Sequence, residues 1–128
     1  MASHHKLKAW DHIKAFAVVV YRIAKSLPKE DQPVLGDQMR RAVTSAALNL
    51  VEGASRTSYR DYRRFLDTSR ASLKEACAAL ELVHAAEFID SSTFARAEAM
   101  GDEASKTLYG LMRYVDNCLK EGKTQRSL

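Results

Sequence analysis

The chain predicts an all-α fold, an antiparallel up-down-up-down four-helix bundle. Apolar residues recur every three or four positions in four separate runs, strong helix formers dominate, and only two Pro and five Gly interrupt them. With 128 residues and 46% hydrophobic content, the sequence suffices for one modest core. Residues 1–6 are expected to be a flexible lead, 7–120 the bundle, and 121–128 a flexible polar tail.

The first helix is expected over Leu7–Ser26, where Trp10, Ile13, Ala17, Val20 and Ala24 share a face and Leu27-Pro28 ends the run. PKEDQP, bounded by Pro28 and Pro33, reads as a loop that continues neither helix. A second helix starts near Leu35, and Gly53 either closes it or lets another backbone approach closely within it. Ser58 with Asp61 three residues on resembles a capping box, so a third helix starts there. Its apolar face, from Tyr62 through Leu66, Leu73 and Leu80, lasts to about Phe88 and makes it the longest element, about thirty residues. Asp90 to Thr93 supplies candidate N-caps for a fourth helix, which carries Ala97, Ala104, Leu108, Leu111 and Val115 and runs to about Lys120.

The longest apolar run, Ala15 to Val20, is too short to span a bilayer, and no secretion leader is recognisable. Cys77 and Cys118 form no closely spaced pair and sit within helical patterns, which reads as two free thiols and a cytoplasmic location. Net charge is +4. Residues 1–64 hold 12 Lys and Arg against 6 Asp and Glu, a net +6, whereas residues 65–128 hold 8 against 10, a net −2. The basic character therefore belongs to the first half.

In the second helix Met39, Val43, Ala46 and Leu50 form an apolar stripe, bordered by Gln38, Arg41, Ala42, Ser45, Asn49, Glu52 and Gly53. Small residues there admit a close neighbour, while a buried Glu or Arg needs a partner. Two arrangements satisfy this: a polar network within one subunit, or a seam where subunits or a ligand meet. A small-molecule site around Asn49 and Glu52 is a third option. In the third helix Arg60, Arg63, Arg64, Arg70 and Lys74 fall on about a third of the circumference, with Arg56 just before them and Asp67 among them. Guanidinium groups bind phosphate bidentately, so this arc is a candidate nucleic-acid contact, set against a solvated face in which Arg63 pairs with Asp67.

Catalysis finds little support. A carboxylate-bridged di-iron centre needs Glu-x-x-His pairs from two helices, and only Glu81-Leu-Val-His84 is present. Neither Cys has a His at activating spacing, and no glycine-rich phosphate loop occurs. No metal, cofactor or catalytic residue is expected.

A family pattern runs through the same segments. A Trp10 helix ends in Tyr21 to Pro28; Gln38-Met39-Arg40-Arg41-Ala42 follows with Ser45; then come Asn49-Leu50-Val51-Glu52-Gly53, Phe65-Leu66 after Ser58, and Ala71-Ser72-Leu73-Lys74-Glu75. In that order and spacing the chain resembles the four-helix bundle proteins encoded by intervening sequences of bacterial 23S ribosomal RNA, the S23 family, over nearly its whole length. Ala71 stands where the family often has Gly, and Leu50-Val51 replaces a common Ile-Ala. The resemblance implies a cytosolic bundle, a ring-like homopentamer, and kinship with accessory proteins of diversity-generating retroelements, which bind a reverse transcriptase and nucleic acid. The resulting expectation is a non-enzymatic homo-oligomer that contacts structured RNA through Arg56, Arg60, Arg63, Arg64, Arg70 and Lys74. Gln38, Arg41, Ser45, Asn49, Glu52 and Gly53 would organise the bundle or its ring. The alternative is a protein-interaction scaffold with no direct nucleic-acid role.

Overall fold

A computed structural model describes residues 2–127; Met1 and Leu128 lie outside it. Four helices form: α1 (Ala2–Ser26), α2 (Asp37–Ala54), α3 (Tyr59–Ala85) and α4 (Ser91–Lys120). Each packs on its neighbours in sequence and α4 closes back onto α1, with α2 against α3 the most extensive pairing. No β-strand occurs among the described residues. The core is one continuous cluster in which Ile13, Phe16, Val20, Met39, Val43, Tyr62, Leu66 and Leu111 are fully buried. Apart from Phe16, which the spacing did not single out, these are the positions that the threefold and fourfold spacing placed inward.

Four boundaries depart from expectation, each for a local reason. Helix α1 begins at Ala2 rather than Leu7, and the His5 ring lies 5.4 Å from that of Tyr114 on α4, so the lead is helical and packed at His5. Helical geometry resumes at Gln32, inside the expected PKEDQP loop, as a π-turn over Gln32–Gly36. Pro33 is tolerated there because a first-turn residue has no use for an N–H. The Gln32 amide also donates to the Lys25 and Leu27 carbonyls at 3.1 and 2.8 Å, tying the turn to the end of α1.

Helix α3 starts as expected, with Ser58 Oγ accepting from the Asp61 N–H at 3.1 Å. It stops at Ala85, so α4 with 30 residues is the longest helix. The stop is a Schellman turn: Phe88 N–H donates to Val83 O, Glu87 N–H donates to His84 O, and Glu87 takes φ +63°. Asp90 then caps α4, its carboxylate accepting from Thr93 N–H at 2.7 Å, and those hydrogen bonds hold its pKa below the usual carboxylate value.

The fourth departure is the tail. Gly122, at φ +78°, closes a second Schellman turn and sends the chain back across the α2–α3 corner. Tyr59 N–H donates to Thr124 O at 3.0 Å, Arg126 N–H donates to Thr57 O at 2.7 Å, and Ser58 pairs antiparallel with Gln125. The Arg126 guanidinium donates to both Ala54 O and Arg56 O at 2.7 Å and lies 4.2 Å from the centre of the Tyr62 ring. The segment is a docked strap over the end of α2.

Candidate nucleic-acid interface

The polar stripe of α2 faces α3 within one chain. Ser45 Oγ and Ser72 Oγ are 2.8 Å apart, the Gln38 amide donates to the Glu75 carboxylate, and buried Ser69 Oγ donates to Ala46 O at 2.6 Å. The Asn49 amide turns back onto its own helix, donating to Ser45 O at 2.9 Å and to Ser45 Oγ at 3.1 Å. Gly53 lies inside α2 and lets α3 approach: a Cβ there would sit 2.8 Å from Phe65 Cβ. Glu52 pairs with Arg56 at 2.6 Å. Arg41 is exposed and has no carboxylate within ion-pair distance among the described residues. Gln38, Ser45, Asn49 and Gly53 thus serve the α2–α3 seam, Glu52 holds Arg56, and Arg41 points outward.

The arginine arc divides in a similar way. Arg63 is clamped between Asp116 on α4 at 2.6 Å and Asp67 at 3.1 Å, and those carboxylates raise its pKa against the opposing effect of burial. It joins α3 to α4, and its charge is spent there. Arg64 pairs weakly with Asp61 at 3.4 Å. Arg56 and Arg64 both lie over the Phe65 ring, at 4.7 and 4.8 Å from its centre. Arg60, Arg70 and Lys74 are exposed and carry no carboxylate partner among the described residues.

Helix α4 completes this face with residues that the sequence reading did not single out. The Arg63–Asp116 ion pair, together with Gly101 lying against Cys77, sets the antiparallel register of α3 and α4. That register puts Lys120 near the level of Arg60, Tyr109 near Arg70, and Lys106 near Lys74. Lys106, Arg113 and Lys120 stand seven residues apart, two helical turns, and so form one line along α4. All three are exposed and free of carboxylate partners among the described residues, and Tyr109 between them is 59% exposed. The result is a two-column face of six cations with an aromatic ring at its centre. Its acidic counterparts Glu81, Glu98 and Asp102 sit toward the other end of the same two helices, around Cys77. Their charges help burial push the Cys77 thiol up to about 11, so it is protonated and non-nucleophilic at neutral pH, with burial the larger cause.

A second surface is apolar. Five of the eight large hydrophobic residues left exposed, Leu7, Val18, Tyr21, Leu48 and Val51, lie on the outer face of α1 and α2. Leu7 and Val51 border a groove floored by Trp10, Leu50 and Ala54. His84 of the lone Glu-x-x-His pair stacks on Phe94 at 4.1 Å and meets Ser91 Oγ at 3.4 Å. No group of three or more metal-ligating side chains occurs among the described residues. None of the described helices is long and apolar enough to cross a membrane.

The sequence pattern of the family described as 23S rRNA-intervening sequence protein matches residues 5–110. A solved structure, a protein with unknown function from the S23 ribosomal protein family of Bacteroides thetaiotaomicron, is similar with a TM-score of 0.78 and 24% identity, over 85% of this chain and 98% of that one. At that identity the likeness speaks for the fold. No curated protein matches the chain. Arg113, Lys120 and the docked strap lie beyond the residues that the family pattern matches.

Proposed function

The chain belongs to the 23S rRNA-intervening sequence protein family, and from that premise we propose that it is a non-enzymatic, cytoplasmic homo-oligomer that binds structured RNA through the outer face of α3 and α4. The observation that carries this reading is the set of six exposed cations, Arg60, Arg70, Lys74, Lys106, Arg113 and Lys120, with no carboxylate to neutralise them among the described residues. A solvated structural face tends to interleave both signs, as Arg63 does here with Asp67 and Asp116. Unpaired cations in two columns instead suit the two sides of a phosphate backbone. Structured RNA is the polyanion chosen for the test, because the family description names the 23S rRNA intervening sequence.

The test is titration with a structured RNA across a salt series. Each phosphate contact contributes about 0.7–0.9 to the slope of log affinity against log salt. Changing Arg60, Arg70 and Lys74 together to Ala is expected to flatten that slope by about 2 and to weaken binding at least about tenfold at low salt. Absence of binding at low salt, or an unchanged affinity for the triple variant, overturns the reading.

Assembly rests on the apolar face of α1 and α2. Exposed Leu48 and Val51 beside the Leu7–Trp10 groove form the kind of contiguous patch that marks a protein contact. In the ring-like pentamer that the resemblance implies, this face supplies one side of a head-to-tail contact. Leu48→Lys with Val51→Lys is expected to lower the mass measured by light scattering without loss of helix content. A one-chain mass for the unaltered protein contradicts oligomerisation. A protein scaffold is the second reading, favoured by the same patch; salt-insensitive capture of a protein partner after nuclease treatment supports it over RNA binding.

A further inference from the structure

Beside the line of α4 cations lies a shallow depression of about 260 Å³, lined by His5, Gly110, Arg113, Tyr114 and Asn117. Three features give it a chemical character. One side is aromatic, formed by the rings of His5 and Tyr114, which pack on each other with centres 5.4 Å apart. Its floor is Gly110, where a Cβ would meet nothing within 4 Å, so the absent side chain leaves open space. Its rim holds the Asn117 amide, which both donates and accepts, and the Arg113 guanidinium. Arg113 also reaches the exposed Tyr109 ring, its guanidinium carbon lying 5.8 Å from the ring centre.

We propose that this depression receives an unpaired base of an RNA strand whose phosphates run along Lys106, Arg113 and Lys120. The inference rests on the RNA-binding reading and narrows it from structured RNA in general to single-stranded segments within it. The choice of occupant follows from the geometry. A duplex offers phosphates but keeps its bases stacked, and so makes no use of an aromatic-sided recess or of Tyr109. An unpaired strand presents both faces of each base and a free pairing edge, matched here by rings and by an amide. The three cations stand about 10.5 Å apart, seven residues at 1.5 Å rise, alongside the recess rather than inside it. Phosphates are therefore held on the line and the base is turned aside. The one carboxylate of this stretch of α4, Asp116, is engaged by Arg63.

The experiment compares a short single-stranded oligoribonucleotide, the same sequence as a duplex, and a free mononucleotide, all at one ionic strength with the full chain. The single strand is expected to bind at least about tenfold more tightly than the duplex, with the mononucleotide a poor competitor. Gly110→Leu fills the recess on a helix position with room for a side chain, and is expected to lower single-strand affinity about tenfold while leaving the salt slope unchanged. Asn117→Ala, at an exposed position, is expected to act in the same direction, and Arg113→Ala should weaken binding and flatten the slope together. Equal binding of duplex and single strand with no effect of Gly110→Leu overturns this inference and leaves the basic face standing. A mononucleotide that competes as well as the strand overturns it too. Failure of every nucleic acid to bind defeats the function proposed above instead.

Discussion

Gly53→Val is expected to cost about 3 kcal/mol of stability, and Gly53→Ala about 1–2, whereas Gly110→Ala is expected to gain about 0.5–1. All three substitutions remove a glycine from a helix interior, which by itself favours the helix by up to about 1 kcal/mol. Contact decides the sign. At Gly110 a new Cβ meets nothing within 4 Å, so the propensity gain stands alone. At Gly53 it would lie 2.8 Å from Phe65 Cβ, 3.1 Å from Tyr62 Cδ1 and 3.3 Å from Tyr62 O. Two of those atoms are fixed by the α3 backbone, so no rotamer change relieves the overlap and the helices themselves must part. Parting them loosens the Ser69–Ala46 and Ser45–Ser72 hydrogen bonds that line the same seam. Valine adds two further methyl groups to that overlap. Urea unfolding of the three variants checks the ordering, and a Gly53→Ala midpoint equal to that of the unaltered chain would show that the α2–α3 approach is not this close.

The elements legible in the sequence are those set by short-range chemistry. Ser58 and Asp90 announce their helices because a cap is made by a side chain to an amide three residues on. The apolar spacing placed Met39, Val43, Tyr62 and Leu111 in the core for a similar reason, since 3.6 residues per turn is a property of the helix itself. The end of α3 was not legible, because the left-handed position falls on Glu87 rather than on glycine. Pro33 read as a loop residue although it serves the first turn of a helical segment.

The candidate site divides along the same line. That Arg63 is neutralised depends on Asp116, 53 residues away, which no local spacing reveals. The cations of α4 were hidden by averaging: the second half of the chain carries a net −2, yet among the described residues none of its carboxylates lies within ion-pair distance of Lys106, Arg113 or Lys120. Their seven-residue spacing was the available signal. Ser45 and Asn49 have small polar side chains suited to a seam, but only the fold decides whether the facing helix belongs to the same chain.

Arg126→Ala is expected to destabilise the protein by about 2–3 kcal/mol, an effect well above that of a typical surface arginine. The polar tail was expected to fray, and a residue two places from the chain end normally contributes little. Here its guanidinium donates to Ala54 O and Arg56 O at 2.7 Å each. Ala54 O is the last carbonyl of α2 and Arg56 O lies just past it, where the helix has no internal donors left and its dipole favours a cation. The same group lies 4.2 Å from the ring centre of fully buried Tyr62, covering one face of the largest core side chain. Burial pushes the Tyr62 hydroxyl up to about 12, with the Arg126 charge pulling the other way, so the ring stays neutral across the working range. Charged hydrogen bonds contribute about 1.5–3 kcal/mol each, and partial exposure of Arg126 discounts the sum toward the lower end. Arg126→Lys keeps the charge but not the planar fork, so it should recover about half of the loss. Hydrogen exchange separates this cause from general weakening: the Tyr59 amide, bonded to Thr124 O, should lose protection in Arg126→Ala, while amides at the centre of α3 fall only in step with global stability. Unchanged protection at Tyr59 would mean that the strap is held by its backbone pairing with Thr57 and Ser58 alone. In that case the guanidinium would not be the group that fastens it.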